Sequence, residues 1–392
     1  VNSVNCIPPA RLGGRLLIFD ELFPYEASGF RLWEYVWLLG EFPNSRVIAS
    51  LAMLEDHYPN VSRPKVQENF QINFPEVEER VIFCSRDNFM KLVGESGDSD
   101  LIYTIFLNQI WTLVKKFKGL ATPFAFTLYP GGGFHLGRKA VSKLELVFSH
   151  PMFRGVIVTQ PATLEFLKEK FPEVVQGGRV KYIFGGVLRG SFTSDFKSAP
   201  LEFLGNLNVC FIGNKYHSKG KDKGLDIFLR LVDKLHDPRK LNFHLVGPWS
   251  LSDIGNNRED IIQRWGVISN IDMPEFLSKM DIAVFPTRSS VIGRGSFDGF
   301  PVGSAVEAGL AGVAVVTTNP LGQESPLERG RDYLEIDPTL ESALSAVQKL
   351  IVNQELLRAM KLQAIGSFSS IYSQSGQLAP RVQFLKCLMD GQ

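Results

Sequence analysis

The passage FDGFPVGSAVEAGLAG, Phe297–Gly312, sets two carboxylates around a run of turn residues and a helix start. Gly299, Pro301 and Gly303 precede a short helix expected from about Ser304. Such a loop brings backbone N–H groups close to a ligand, and the helix N-terminus favours a phosphate. Glu307, about one turn into that helix, would repel a phosphate but can accept hydrogen bonds from two neighbouring sugar hydroxyls. Asp298, just before the glycines, can face a second sugar. The same residues also suit a plain strand-to-helix connection in which Glu307 complements the helix dipole.

A second constellation, FIGNKYHSKGKDKGLDIF (Phe211–Phe228), gathers Lys215, Lys219, Lys221 and Lys223 directly after an apolar run. It reads either as a solvated basic loop or as an anion site at a strand C-terminus, ending in Lys223-Gly224 before a helix. A third stretch, TLYPGGGFHLG (Thr127–Gly137), places Tyr129 and then Gly131, Gly132 and Gly133 after a strand. Three glycines permit close backbone approach to a sugar or acceptor.

The elements that must position these residues alternate along the whole chain. Short apolar runs at Leu16–Phe19, Val47–Leu51, Val81–Phe83, Leu101–Thr104, Pro123–Tyr129, Gly155–Thr159 and Val180–Phe184 read as strands, with helices at Arg31–Leu39 and Pro161–Lys170 between them. The pattern restarts with strands at Val209–Ile212, Phe243–Val246, Ile282–Phe285 and Val313–Thr317. Helices are expected at Gly224–Leu235, Met273–Lys279, Ser304–Leu310 and Glu341–Asn353. This is an α/β pattern of parallel sheets, and 392 residues suffice for two such units. The expected division is 1–187 and 188–375, with a linker at about Gly186–Asn208. Ligands of open parallel sheets bind at strand C-terminal loops, so a shared cleft is expected between the units.

Composition removes several classes. Forty-two Lys+Arg against forty-one Asp+Glu leave a net charge of +1, so no bulk basic field points to nucleic acid. Cys6, Cys84, Cys210 and Cys387 form no C-x-x-C pair, which makes a metal knuckle a poor reading and free thiols the simpler one. No apolar run reaches the length of a spanning helix. The opening VNSVNCIPPA lacks the charged and apolar regions of a signal peptide, so a cytoplasmic protein is expected. Asp98-Ser99-Asp100 sits in a Gly/Ser-rich turn and reads as a cap rather than a metal pair.

The Phe297–Gly312 passage resembles the nucleotide-sugar motif of the retaining GT-B glycosyltransferases of family 4: an acid, then G-F-G/P, then E-A. The resemblance implies two Rossmann-like domains facing each other across a cleft. The donor, a nucleotide diphosphate sugar, would lie mainly on the second and the acceptor mainly on the first. It implies that Asp298 contacts the transferred sugar, that amides of Gly299, Phe300, Val302 and Gly303 contact sugar and diphosphate, and that Glu307 holds the ribose. Pro301 has no N–H and only shapes the loop. The acids here are separated by eight residues rather than the usual seven, and the first is Asp rather than Glu.

Family members also place a basic residue after the Val209–Ile212 strand and a Lys-Gly at the next helix, both against the diphosphate. Lys223 matches the second and Lys215 substitutes for the first. Fixed cations stabilise the charge that a leaving diphosphate gains, without a metal. Gly29, in YEASGF, matches a glycine loop that approaches the diphosphate from the first domain. Gly266, Val267 and Ile268 match the base-reading segment, with Trp265 read as packing. Tyr129 takes the place where many members carry a His near the transferred sugar, and His135 comes later, either at the site or as an ordinary loop histidine. Thr287–Gly295 reads as a mobile loop over the donor or a solvent loop.

The last helix, in this family, crosses back to the first domain, and Arg381–Met389 suits that role. The implied reaction is retaining sugar transfer to a glycan or lipid-linked acceptor, commonly in bacterial surface polysaccharide assembly. No metal or other cofactor is implied, and association with the inner face of the membrane is a further expectation. The alternatives are a nucleotide-sugar 2-epimerase-like or phosphorylase-like enzyme and a non-catalytic glycosyltransferase-like binding subunit.

Overall fold

The computed structural model describes residues 14–58, 61–189, 205–237 and 240–391. The opening segment with Cys6, and most of the expected linker, lie outside the described residues.

The first half builds a seven-stranded sheet from β1 (Leu16–Asp20), β2 (Arg46–Ala49), β3 (Val81–Phe83), β4 (Leu101–Ile105), β5 (Phe124–Leu128), β6 (Phe153–Val158) and β7 (Val180–Tyr182), in the order β3-β2-β1-β4-β5-β6-β7. The second builds a six-stranded sheet from β8 (Leu207–Ile212), β9 (Leu241–Val246), β10 (Ile262–Gly266), β11 (Ile282–Phe285), β12 (Ala314–Thr318) and β13 (Leu334–Ile336), in the order β10-β9-β8-β11-β12-β13. Every pairing is parallel, as between Ile18 and Val47 or between Val209 and Phe243. The α/β fold class expected from the sequence is therefore the one observed.

Apolar strand runs follow from burial on both faces. Leu17 and Phe19 point into one core layer of the first sheet, while Leu16 and Ile18 point into the opposite layer. In the second sheet Val209 and Phe211 face one layer and Cys210 the other. Helices cover both sides, so alternation between apolar and polar residues is lost.

The strands without an apolar run, β10 and β13, are the two edges of the second sheet. In β10 only Ile262 is buried, and the residues after it are exposed. The Asp98 and Asp100 side chains tie the start of the first sheet, to Arg46 and to the Arg15 backbone N–H at 2.6 and 2.7 Å, in keeping with a cap.

The helix Gln374–Met389 returns to the first half and packs against the helix Gly29–Glu41 and β6. Arg381 on it is fully buried beside the equally buried Glu34, with Nε 3.7 Å from Glu34 Oε2. Among the described residues no helix is long and apolar enough to cross a membrane.

Candidate active site

In each sheet the chain reverses its winding beside the first strand, between β1 and β4 and between β8 and β11. Loops leaving neighbouring strands there splay apart and open a crevice at the strand C-termini. The loop after β8 carries Lys223 and the loop after β11 carries Asp298. Gly224 stands where the two loops touch. Its φ is +75°, and a Cβ there would lie 2.0 Å from the Pro286 carbonyl oxygen, so only glycine fits. Arg288 stitches the loops further: its N–H donates to the Asp222 carbonyl at 2.9 Å, and its guanidinium holds Asp226 at 2.6 and 3.0 Å.

This bracing delivers the Lys223 ammonium to both oxygens of Asp298, each at 2.7 Å. The ammonium also sits 5.0 Å from the centre of the Tyr216 ring. Burial works against its charge, but Asp298, Tyr216 and Asp222 outweigh it and hold the Lys223 pKa above its ordinary value. Asp222 is buried next to this pair. Burial first, and Asp298 after it, push its carboxyl up while Lys223 opposes them.

The helix Gly303–Leu310 begins at the same place, with Val302 as its N-cap and no side chain capping it. Among the described residues, the N–H groups of Gly303 and Ser304 have no protein partner, and a Cβ at Gly303 would meet nothing within 4 Å. Glu307 is 7% exposed, and no described side chain or N–H donates to it. Burial alone pushes its carboxyl up to about 7. The arrangement is an uncapped helix start and a cation for an anion, with a dry carboxylate nearby for hydroxyl donors.

The other residues singled out in the sequence have differing surroundings. Lys215 does not join Lys223; its ammonium is held by both oxygens of Asp253, at 2.7 and 2.9 Å, in the short helix Leu251–Ile254 after β9. The Phe300 N–H, expected to meet the ligand, donates instead to Gln160 Oε1 of the first half at 2.8 Å, and the Phe300 ring is buried against Tyr333. Gly29 faces Asn270 of the second half, whose Oδ1 would stand 2.0 Å from a Cβ at that position. Gly266 ends β10 at φ +69° with open space around it, Val267 is exposed, and Ile268 packs into the core. Trp265 packs on Phe276, at 5.3 Å between ring centres, and donates to His244 Nδ1.

Tyr129 does not fit an acceptor contact. It is buried, its hydroxyl donating to Glu34 Oε2 at 2.6 Å and receiving from Arg381 at 3.3 Å. Gly131, Gly132 and Gly133 all have positive φ and form a tight exposed turn over the helix Leu107–Lys116, with the Asn108 N–H donating to the Gly132 carbonyl. Cβ atoms at Gly132 and Gly133 would collide with Phe106 and Asn108. His135 follows that turn, with a buried and unpartnered Nδ1. Burial, then Lys143 and Lys139, hold its pKa below the usual value.

The stretch read as a mobile or solvent loop is pinned between the halves. Gly295 accepts a hydrogen bond from the Leu136 N–H at 2.9 Å, and a Cβ at Gly295 would lie 2.4 Å from the Leu136 oxygen. Phe297 inserts into the core of the first half, 6.1 Å from the Phe134 ring. Composition suggests mobility here, but one buried aromatic and one glycine contact fix the segment. Asp20 was also beyond sequence reasoning. It is fully buried at the end of β1, receiving Leu22 and Phe23 N–H groups, Arg31, Tyr35 and Gln109, and so shapes the loop that leads to Gly29. Its position as the last residue of an apolar run was the only available signal.

Among the described residues, no group of three or more His, Cys, Asp or Glu is placed to hold a metal.

Comparison with known proteins places this geometry. Residues 206–353 match the family model described as Glycosyl transferases group 1. A 2-deoxystreptamine N-acetyl-D-glucosaminyltransferase of Niallia circulans is 24% identical over 170 residues, 42% of this chain, and the match spans 41% of that relative's length. HepE of Anabaena, crystallised with UDP and glucose, superimposes with a TM-score of 0.69 over 96% of this chain and 100% of its own, at 14% identity. Sucrose-phosphate synthase of Thermosynechococcus elongatus gives 0.66 over 97% and 100%, at 13% identity. The chain has the GT-B fold, and the match to the group 1 family model lies in its second half.

Proposed function

We propose that this protein is a retaining glycosyltransferase that moves a sugar from a nucleotide diphosphate sugar to a glycan or lipid-linked acceptor, in bacterial surface polysaccharide synthesis. The observation that carries the reading is Glu307, a buried carboxylate without a donor, beside two free helix N–H groups and Lys223. Ribose hydroxyls supply the donors that Glu307 lacks. The diphosphate takes the Gly303 and Ser304 N–H groups and draws Lys223 away from Asp298. That exchange frees Asp298 to face the transferred sugar. The ligands of HepE, UDP and glucose, are of the donor class proposed. The domain of residues 188–375 holds the donor and that of 1–187 the acceptor, near Gly131–Gly133 and His135.

In the reaction the bond from the anomeric carbon to the phosphate oxygen breaks and a bond to the acceptor oxygen forms on the same face. The acceptor proton passes to the departing phosphate, whose growing charge Lys223 and the helix N–H groups stabilise. The site asks for no divalent metal, and the enzyme acts in the cytoplasm. A thermal-shift and hydrolysis screen across UDP-, GDP-, ADP- and dTDP-sugars, each with and without EDTA, tests this. One donor class should stabilise the protein and be hydrolysed equally in both conditions. Stabilisation that vanishes with chelator, or no response to any donor, overturns it.

The raised Glu307 pKa gives a pH signature. Below about 7 the empty site holds a proton on Glu307. Binding ribose hydroxyls favours the carboxylate, so binding releases that proton. Affinity therefore falls as pH drops below about 7, by up to roughly ten-fold per unit, and is flat above it. Glu307→Gln should weaken nucleotide binding by roughly ten- to a hundred-fold at pH 8 and abolish the slope. Calorimetry of the nucleoside diphosphate at several pH values reads both effects. An unchanged slope in the variant assigns the proton to another group.

A further inference from the structure

The segment that carries Asp298 belongs to the second half of the chain, yet the first half holds it on both sides. One residue before Asp298, the Phe297 ring is buried in the core of the first half. Two residues after it, the Phe300 N–H donates to Gln160 Oε1 at 2.8 Å. The same amide lies along Gly299, where a Cβ would stand 3.1 Å from Gln160 Nε2. Between these anchors, among the described residues, Asp298 and Gly299 make no backbone hydrogen bond of their own. The Asp298 carboxylate meanwhile meets Lys223 of the second half. Its position is set by its flanks and by that one ion pair.

Gln160 is placed to be a stiff anchor. It follows β6, is the N-cap of the helix Pro161–Lys170, and is 4% exposed. A side chain already ordered by burial gives up little further freedom to make the bond. A second glutamine locks the junction from the other side. Gln323, in the loop after β12, accepts the Ala162 N–H at 3.1 Å, one of the helix-start donors that has no partner within its helix. Asn319 fixes Gln323 through its carbonyl and its N–H, both at 2.9 Å. Each half thus gives the other one buried glutamine oxygen, but only the Gln160 bond ends on the segment that carries Asp298.

Resting on the glycosyltransferase reading above, we propose that Gln160 is a positioning residue for sugar transfer: through the Phe300 N–H it sets Asp298 against the transferred sugar. Gln160 acts on the sugar end of the donor and leaves the nucleotide end, at Glu307 and the Gly303 and Ser304 N–H groups, unchanged. Without Gln160 Oε1 the Phe300 N–H is a buried donor without a partner, and the segment shifts to find one. A misplacement of about 1 Å at a reacting centre can cost a hundred-fold in rate. The first half therefore contributes to turnover as well as holding the acceptor, and separation of the halves disables Asp298 even with nucleotide bound.

The test uses the full chain and the variants Gln160→Leu, Asp298→Asn, their combination, and Gln323→Leu, which loosens the same junction without freeing the Phe300 N–H. Hydrolysis of UDP-, GDP-, ADP- and dTDP-glucose gives the saturated rate. Calorimetry with the matching diphosphates gives affinity, and hydrogen exchange reads the Phe300 amide. Gln160→Leu should lower the rate by roughly ten- to a hundred-fold and change diphosphate affinity by less than about three-fold. In the Asp298→Asn background the same change should cost less than about three-fold, because the residue it positions is already disabled. Gln323→Leu should leave the rate within about three-fold of the parent. Gln160→Asn, which keeps the amide but withdraws it by one methylene, should follow Gln160→Leu and takes its place if the leucine variant does not fold. An unchanged or raised rate in the Gln160 variants overturns the proposal and leaves the donor reading standing. So do additive losses in the double variant, or an equal loss in Gln323→Leu. If the Phe300 amide loses protection in the Gln160 variants but no nucleotide sugar binds or is hydrolysed, the junction stands, while the donor reading fails and the positioning role falls with it.

Discussion

Lys223→Ala is expected to lower the saturated rate of sugar transfer by about a hundred- to a thousand-fold, with a smaller loss of donor affinity. The cation is held at the switch point by Gly224, packed against Pro286, and by the Arg288 braces, so it does not have to be ordered during the reaction. Its interaction strengthens as the diphosphate gains charge, which is the condition for a group to act on turnover rather than binding. Its removal has a second effect. Asp298 and Asp222 would then face the diphosphate with no cation between them. Lys223→Ala/Asp298→Asn, which removes part of that repulsion, should therefore recover donor affinity but not turnover. Single-turnover rates and donor dissociation constants for both variants measure this. Full turnover in Lys223→Ala would mean that the leaving group is stabilised by other residues.

A loss of similar size, but of stability, is expected for Arg381→Ala. Arg381 is fully buried; it donates to the Gln377 and Gly185 carbonyls and to the Tyr129 hydroxyl, at 2.7 to 3.3 Å, and faces Glu34. Burial disfavours its charge, yet Tyr129, Glu34 and Tyr103 raise its pKa overall. Glu34 in turn receives the Tyr103 and Tyr129 hydroxyls. Truncating Arg381 strands a carboxylate in the core of the first half. Breaking a buried ion pair in this way costs about 3–5 kcal/mol.

Glu34→Gln/Arg381→Met removes both charges and should cost clearly less than the sum of the single changes, because neither partner is left uncompensated. Urea unfolding followed by circular dichroism gives the three midpoints. Additive losses would show that the pair contributes packing rather than coupled charge. Because the pair joins the last helix to the first sheet, Arg381→Ala should also speed proteolysis of that helix.

The sequence by itself determined the layers and the local parts of the site. Strands buried on both faces must be continuous apolar runs, so all eleven runs that read as strands are strands, with ends moved by no more than two residues, as Leu16–Phe19 against Leu16–Asp20 shows. Lys223-Gly224 and Glu307 were legible because their geometry is local, a turn before a helix and one turn within it. Edge strands such as β10 escaped, since one exposed side removes the apolar signal. Only the tertiary structure decided who pairs with whom. Lys223 meets Asp298 across 75 residues, Gln160 takes the Phe300 N–H across 140, and Arg381 reaches Tyr129 across 252. It also gave Lys215 to Asp253, put Tyr129 in the core and pinned Phe297. A charge or an N–H takes the nearest complementary group once the strands are wound, and strand order, which composition does not encode, sets which group is nearest.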